Sequence, residues 1–169
     1  MATTRNAANQ NITVSAAGAI NYPSQPCFLA TYSASAADAT GDGTVVTLKP
    51  DTITYNVGSG YSAASGIFTA PRTGKYSFIC GVTSGLGYFI TNNALLWKAI
   101  ATSRTFTLAQ LNPYQLALGL ANESINASFY VDMTAGDTLY TTFVVTGGAK
   151  TVDILGSGFR TFMSGKLEV

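Results

Sequence analysis

From Cys27 onward, apolar and polar side chains alternate with a period of two, and Gly, Asn, Asp and Pro interrupt the alternation at short intervals. In an extended strand successive side chains point to opposite faces, so this pattern predicts half-buried β-strands joined by turns. Strands are predicted at Phe28–Tyr32, Val45–Leu48, Thr52–Val57, Ile67–Thr69 and Tyr76–Val82. Tyr88–Ile90 and Leu95–Ala101 flank a tight turn at Asn92-Asn93, and Arg104–Leu108, Ala127–Met133, Leu139–Thr146 and Thr151–Leu155 follow. In the closing strand Met163, Gly165, Leu167 and Val169 share one face. Asp38–Gly43, Pro50-Asp51, Ala135-Gly136-Asp137 and Gly147-Gly148 read as turns. Ala94–Ala101 has helical propensity, but two helical turns among strands are marginal, so a strand is preferred. About ten short strands at a spacing of roughly 8 to 12 residues describe an all-β sandwich or jelly roll. No repeat of about 20 to 50 residues points to a solenoid or propeller.

Residues 1–26 differ from the rest. They are rich in Ala, Asn, Thr and Ser, end in Pro23 and Pro26, and carry one short alternation at Ile12 and Val14. They read as an extended N-terminal arm leading into one domain at 27–169, with a merely disordered terminus as the alternative. Met1 to Gln10 is polar and lacks the apolar stretch of a secretory signal. The chain is therefore expected to act where it is made or to leave the cell within an assembly. No run of about 18 apolar residues occurs, so no membrane insertion is expected.

Composition narrows the function. Of the 169 residues 47% are hydrophobic and only 10% are charged, against roughly 25% charged in average soluble proteins. So little charge implies surface hidden against copies of the chain or on a larger particle. The nine Lys and Arg lie singly and the net charge is +1, so no basic stripe for nucleic acid exists. The chain has no histidine, which removes Ser-His-Asp and Cys-His catalysis and the commonest zinc ligand. Cys27 and Cys80 are each flanked by apolar residues and read as free packing thiols, with a disulfide as the alternative. No pair of its eight acids has a spacing suggestive of glycosidase chemistry, so no enzyme is expected.

One spaced run carries a family resemblance. Asn56, Tyr61, Phe68, Gly74, Tyr76 and Phe78 follow the order Asn, four residues, aromatic, six residues, Phe, five residues, Gly-x-Tyr-x-Phe. This resembles the signature of C1q/TNF-like domains. Ala135-Gly136-Asp137-Thr138-Leu139 is similar to the family's Gly-Asp turn, and Met163-Ser164-Gly165-Lys166-Leu167 to its closing strand. Phe28-Leu29-Ala30, Thr40-Gly41-Asp42-Gly43-Thr44 and Phe68-Thr69-Ala70-Pro71 resemble the C1q-like heads of bacteriophage fibres. The chain departs from the pattern at Pro50, Cys80 and Met163, where the family carries aromatic residues, and it lacks a collagen-like stalk.

The resemblance implies a C1q/TNF-like jelly-roll sandwich, trimeric about a three-fold axis lined by aromatic and small apolar residues. It favours a non-enzymatic virion protein of a bacteriophage: a fibre or spike head, or a capsid decoration exposed on the particle surface. Its partners would be a homotrimer, other virion proteins held by the arm, and a host surface glycan or protein. The alternative is a bacterial surface or spore-coat adhesion module. Some members bind structural calcium, for which Asp38 and Asp42, with Asp51 nearby, are the candidates; Asp as a turn former is the competing account. No other cofactor is implied. Among the aromatics Tyr55, Tyr61, Tyr88, Trp97 and Tyr114, most are expected in the core or the trimer seam. Tyr61, beside Gly58-Ser59-Gly60, and Tyr114, after Asn112-Pro113, are the candidates for a receptor or glycan surface. Acceptor patterns for glycosylation at Asn11, Asn122 and Asn126 are read as chance matches.

Overall fold

The computed structural model describes residues 3–5, 11–14, 20–21, 24–85, 93–113 and 122–168. In chain order its strands are β1 (Thr3–Arg5), β2 (Asn11–Val14), β3 (Ile20–Asn21), β4 (Cys27–Thr31), β5 (Ala36–Thr40), β6 (Val46–Leu48), β7 (Thr52–Val57) and β8 (Tyr61–Ser62). Then follow β9 (Ile67–Thr69), β10 (Gly74–Gly85), β11 (Ala94–Ala101), β12 (Thr105–Leu111), β13 (Asn122–Met133), β14 (Thr138–Thr146), β15 (Val152–Ile154) and β16 (Phe162–Leu167). Among the described residues strands β1 to β3 pair with one another, as a small antiparallel sheet.

The alternation beyond residue 26 folds into two antiparallel sheets, one of seven strands and one of six. In the first, β7, β4, β16, β10 and β13 lie side by side; β15 takes over from β16 along the far half of β10 and carries β5 at its edge. The second runs β12, β11, β14, β9, β8, with β6 also on β14. The chain passes repeatedly from one sheet to the other, and β4 pairs with β16, so the body's first and last strands are neighbours. This is a jelly roll. It has thirteen strands in the two sheets, more than the ten or so expected.

Period-two patterning explains why these segments are strands. Strand β11 alternates half-buried and buried side chains through all eight residues and pairs with β14 along its whole length. Tertiary pairing thus settles the strand reading of Ala94–Ala101 over its helical propensity. Strand β10 pairs with β13 at every one of its twelve residues, so both run further than the alternation suggested. One turn expectation is corrected: Asp38 belongs to strand β5, where it takes a left-handed φ of 50°. A bulge against β15 accommodates it, and its N–H donates to Asp153 Oδ1 at 2.8 Å. The turn proper begins at Gly41. Tyr88–Ile90 lies outside the described residues.

The core between the sheets is aromatic. Phe28 of β4 stacks on Tyr61 of β8 at 4.7 Å between ring centroids and on Phe68 of β9 at 5.1 Å. Phe68 meets Tyr76 and Phe78 of β10 edge-on at 5.3 and 5.4 Å. Phe78 then stacks on Phe129, and Phe129 meets Phe106 at a tilt of 34°. Offset and edge-on pairs of this kind contribute about 0.5–1.5 kcal/mol each beyond their burial. Met163, Trp97, Leu139 and Phe143 fill the remaining interior.

The stack requires a residue without a side chain at Gly165. A Cβ there would sit 2.7 Å from the Phe78 ring and 2.8 Å from that of Phe28. Gly165→Ala is expected to destabilise the protein by about 1–3 kcal/mol through overpacking. The neighbouring Ser164→Ala, which points outward, is expected to change stability by less than about 0.5 kcal/mol. Urea unfolding midpoints compare the two; equal midpoints would remove Gly165 from the account of the core.

Candidate binding surfaces

The signature residues prove to be structural, and each spacing has a cause. Asn56 closes the loop after β7: its Nδ2 donates to Tyr61 O at 2.8 Å and its Oδ1 accepts from Tyr61 N at 3.2 Å. The Tyr61 hydroxyl donates to Pro50 O at 2.7 Å. The Tyr76 hydroxyl donates to Arg72 O at 2.8 Å and accepts from Arg72 N at 3.3 Å, which folds the turn before β10 onto its own strand. Gly74 lies directly under Leu167, whose Cδ1 would be 2.6 Å from an added Cβ.

One expectation about surface aromatics is thereby revised. Tyr61 is only 4% exposed and stacked in the core, so it offers no receptor surface. The glycines before it form the loop, but the alternation resumes at Tyr61 and turns its ring inward. Tyr114 lies outside the described residues. Trp97 is fully buried, as expected for most of the aromatics.

The acidic candidates are engaged one by one. Asp42 Oδ1 accepts from Thr44 N at 2.9 Å, and this hydrogen bonding holds its carboxyl below the usual range. Asp51 accepts from the Ser33 N–H and hydroxyl, each at 2.7 Å; these bonds lower its pKa and tie the end of β4 to the start of β7. Among the described residues no group of three acidic, Cys or His side chains is placed to hold a metal ion. Within the protomer Asp42 and Asp51 hold turns through these bonds, and Asp38 sits at the bulge of β5.

The surface that stands out is the outward face of the first sheet. Register places Tyr55, Leu29, Ser164, Ile79 and Ser128 in one row across five strands, and Val57, Cys27, Lys166, Ser77 and Tyr130 in the next. Tyr130 is 65%, Ile79 53% and Tyr55 44% exposed. A shallow depression of about 250 Å³ between Cys27, Tyr55, Ile79 and Lys166 dents this face. Lys166 pairs with Glu168 at 3.5 Å. Periodicity marked these positions as facing away from the core. Their apolar character was legible too, but not the row that register assembles from five separate segments.

Both cysteines are free. Cys27 is half-buried on this face and Cys80 lies in the core; burial raises both thiols, Cys80 to about 12. Neither environment favours the reactive thiolate.

Comparison with known proteins follows from this geometry. No family model matches the sequence, and no curated protein matches it. Solved structures do match the fold. The globular domain of zebrafish complement 1qA protein superposes with a TM-score of 0.58 at 11% identity, covering 85% of this chain and 98% of that one. Murine APRIL at pH 5.0 gives 0.57 at 16% identity over 85% and 99%. The PRD1 vertex protein P5 gives 0.51 at 12% identity over 87% and 98%. The body of the chain is a C1q/TNF-like jelly roll.

Alkaline stability tests the burial pattern. Cys80, Tyr61, Tyr76 and Tyr32 all have folded-state pKa values raised, chiefly by burial. Their protonated forms favour the folded state, so stability is full below the unfolded values and is lost as pH rises through the folded ones. For Cys80 the window runs from 9.0 to about 12. Stability is expected to decline across it by up to about 1.4 kcal/mol per pH unit for each such group. Cys80→Ala should make the decline shallower; a pH profile unchanged by that substitution would contradict the burial of the thiol.

Proposed function

We propose that this chain is a non-enzymatic virion module, a bacteriophage fibre or spike head or a capsid decoration, that trimerises and presents its loops to a receptor on the host surface. The observation that carries the reading is the exposed apolar face of β7, β4, β16, β10 and β13. A lone soluble protomer rarely leaves Tyr130, Ile79, Tyr55 and Val57 on one open sheet face. A specific interface buries about 1,600 Å² in total, and a five-stranded face shared with two further copies is where such burial would fall. Cyclic closure then hides the apolar strip of every copy. The low charge of the chain has the same explanation. The likeness to a phage vertex protein supports the virion reading. The absence of histidine from the sequence supports a binding role over an enzymatic one.

In this reading residues 1–26 form the arm that joins the particle, and the body begins at the first contacts with β16. Those contacts are the Leu167 N–H donating to Pro26 O at 2.9 Å and Gln25 Nε2 donating to Leu167 O. The trimer is exposed on the particle surface.

Light scattering during gel filtration is expected to return about three times the 17.6 kDa chain mass. Ile79→Lys is expected to give a folded species of single-chain mass, with unchanged far-ultraviolet circular dichroism. A wild-type monomer would remove the trimer. The arm is tested separately by deleting residues 1–21: the shortened chain should keep the oligomeric mass yet fail to join particles, and normal incorporation would remove the anchor.

A further inference from the structure

The second sheet also turns a face outward, opposite to the one assigned to self-association, and this face differs in chemistry. Leu96, Lys98 and Ile100 of β11 point out of it in succession. Across β14, Thr142 lies beside Lys98 and Tyr140 beside Ile100, and Thr47 of β6 lies beyond Thr142. These side chains line a groove of about 410 Å³. Lys98 stands at its centre. The ion pair among the described residues is Lys166–Glu168, and Lys98 has no anionic or hydrogen-bonding partner there. A cation is thus held on an apolar sheet face with threonine hydroxyls on its row and aliphatic and aromatic surface above and below.

We infer that this groove binds a carboxylated sugar of an acidic glycan. Lys98 supplies the counter-charge to the carboxylate, and a charge-assisted bond to an ammonium in a partly apolar groove is stronger than one between neutral groups. Thr47 presents a hydroxyl that donates to and accepts from sugar hydroxyls, while Thr142, only 8% exposed, forms the floor beside Lys98. The Tyr140 ring, Leu96 and Ile100 offer flat apolar surface to the C–H face of a pyranose. Size argues in the same direction. A groove of about 410 Å³ falls within the roughly 300–1,000 Å³ of small-ligand sites, whereas a docked protein needs about 800 Å² of flat surface on each side. A single ammonium matches one carboxylate; a phosphate dianion is better met by an arginine fork, and the groove has none. The assignment rests on the receptor-binding reading above and gives it a ligand class and a place.

The test uses the full chain with sialyllactose and a hyaluronan tetrasaccharide as acidic probes and lactose as the neutral one, read by titration calorimetry and saturation-transfer NMR. The acidic probes are expected to bind and lactose not to. Lys98→Gln should weaken acidic binding by about tenfold, Lys98→Arg should retain most of it, and raising the salt concentration should weaken it further. Tyr140→Ala should also lower affinity, with the fold checked by circular dichroism. Equal binding by wild type and Lys98→Gln, or no binding of either acidic probe, overturns the groove assignment. An array of neutral and acidic bacterial polysaccharides separates this from the wider reading. If wild type and Lys98→Gln bind it equally, the groove falls and the receptor-binding module stands. If neither binds any polysaccharide or any host cell, both fall.

Discussion

The stack of Phe28 between Tyr61 and Phe68 is the contact on which the two sheets depend. Phe28 belongs to the first sheet and its two partners to the second, so the stack spans the layers. It is held from three directions. Asn56 fixes the backbone of Tyr61, the Tyr61 hydroxyl fixes Pro50, and the bare backbone of Gly165 leaves room for the Phe28 and Phe78 rings. Close-packed interiors tolerate little change of volume, so a cluster of this kind transmits constraint through the sandwich. The spaced signature in the sequence is the record of that constraint: its aromatics are the stack and its polar members are the clasps around it.

With the interior settled, each outward face is free to take its own chemistry. The first sheet shows aliphatic and aromatic residues separated by serines, with Lys166 paired to Glu168 and with Lys75 and Asp132 facing out beyond Ser77 and Tyr130. The second shows a central lysine, without an ion-pair partner among the described residues, set among threonines. Both arise from the same period-two alternation, because every inward residue leaves an outward neighbour. A chain with 10% charged residues has few ways to keep two such faces in water. The association proposed for one face and the ligand binding proposed for the other would reconcile its composition with its fold.

The edges follow the same economy. Short strands β5, β6, β8, β9 and β15 fill the ends of longer ones, and β15 and β16 share one side of β10. Backbone groups along β10 are thereby paired on both sides without a second long strand. The bulges opposite Val152, between Leu29 and Ala30, and between Trp97 and Lys98 adjust register where strands of unequal length meet.

Alternation and turn residues by themselves determined that the chain is all-β, where its long strands lie, and which residues enter the core, because those properties depend on neighbours two residues away. The signature determined the jelly roll, since Asn56, Gly74 and the aromatics act within one short segment. Other features had no local trace. Strands β5 and β8 were not foreseen because they exist only through their pairing with β15 and β9. Tyr61 moved from loop surface to core because the stack on Phe28, distant in sequence, outweighed its glycine-rich flank. The carboxylates of Asp42 and Asp51 bond to separate donors, Thr44 in the same turn and Ser33 at the end of β4. Which outward residues stand side by side was decided by tertiary structure alone, for cross-strand register joins segments more than a hundred residues apart.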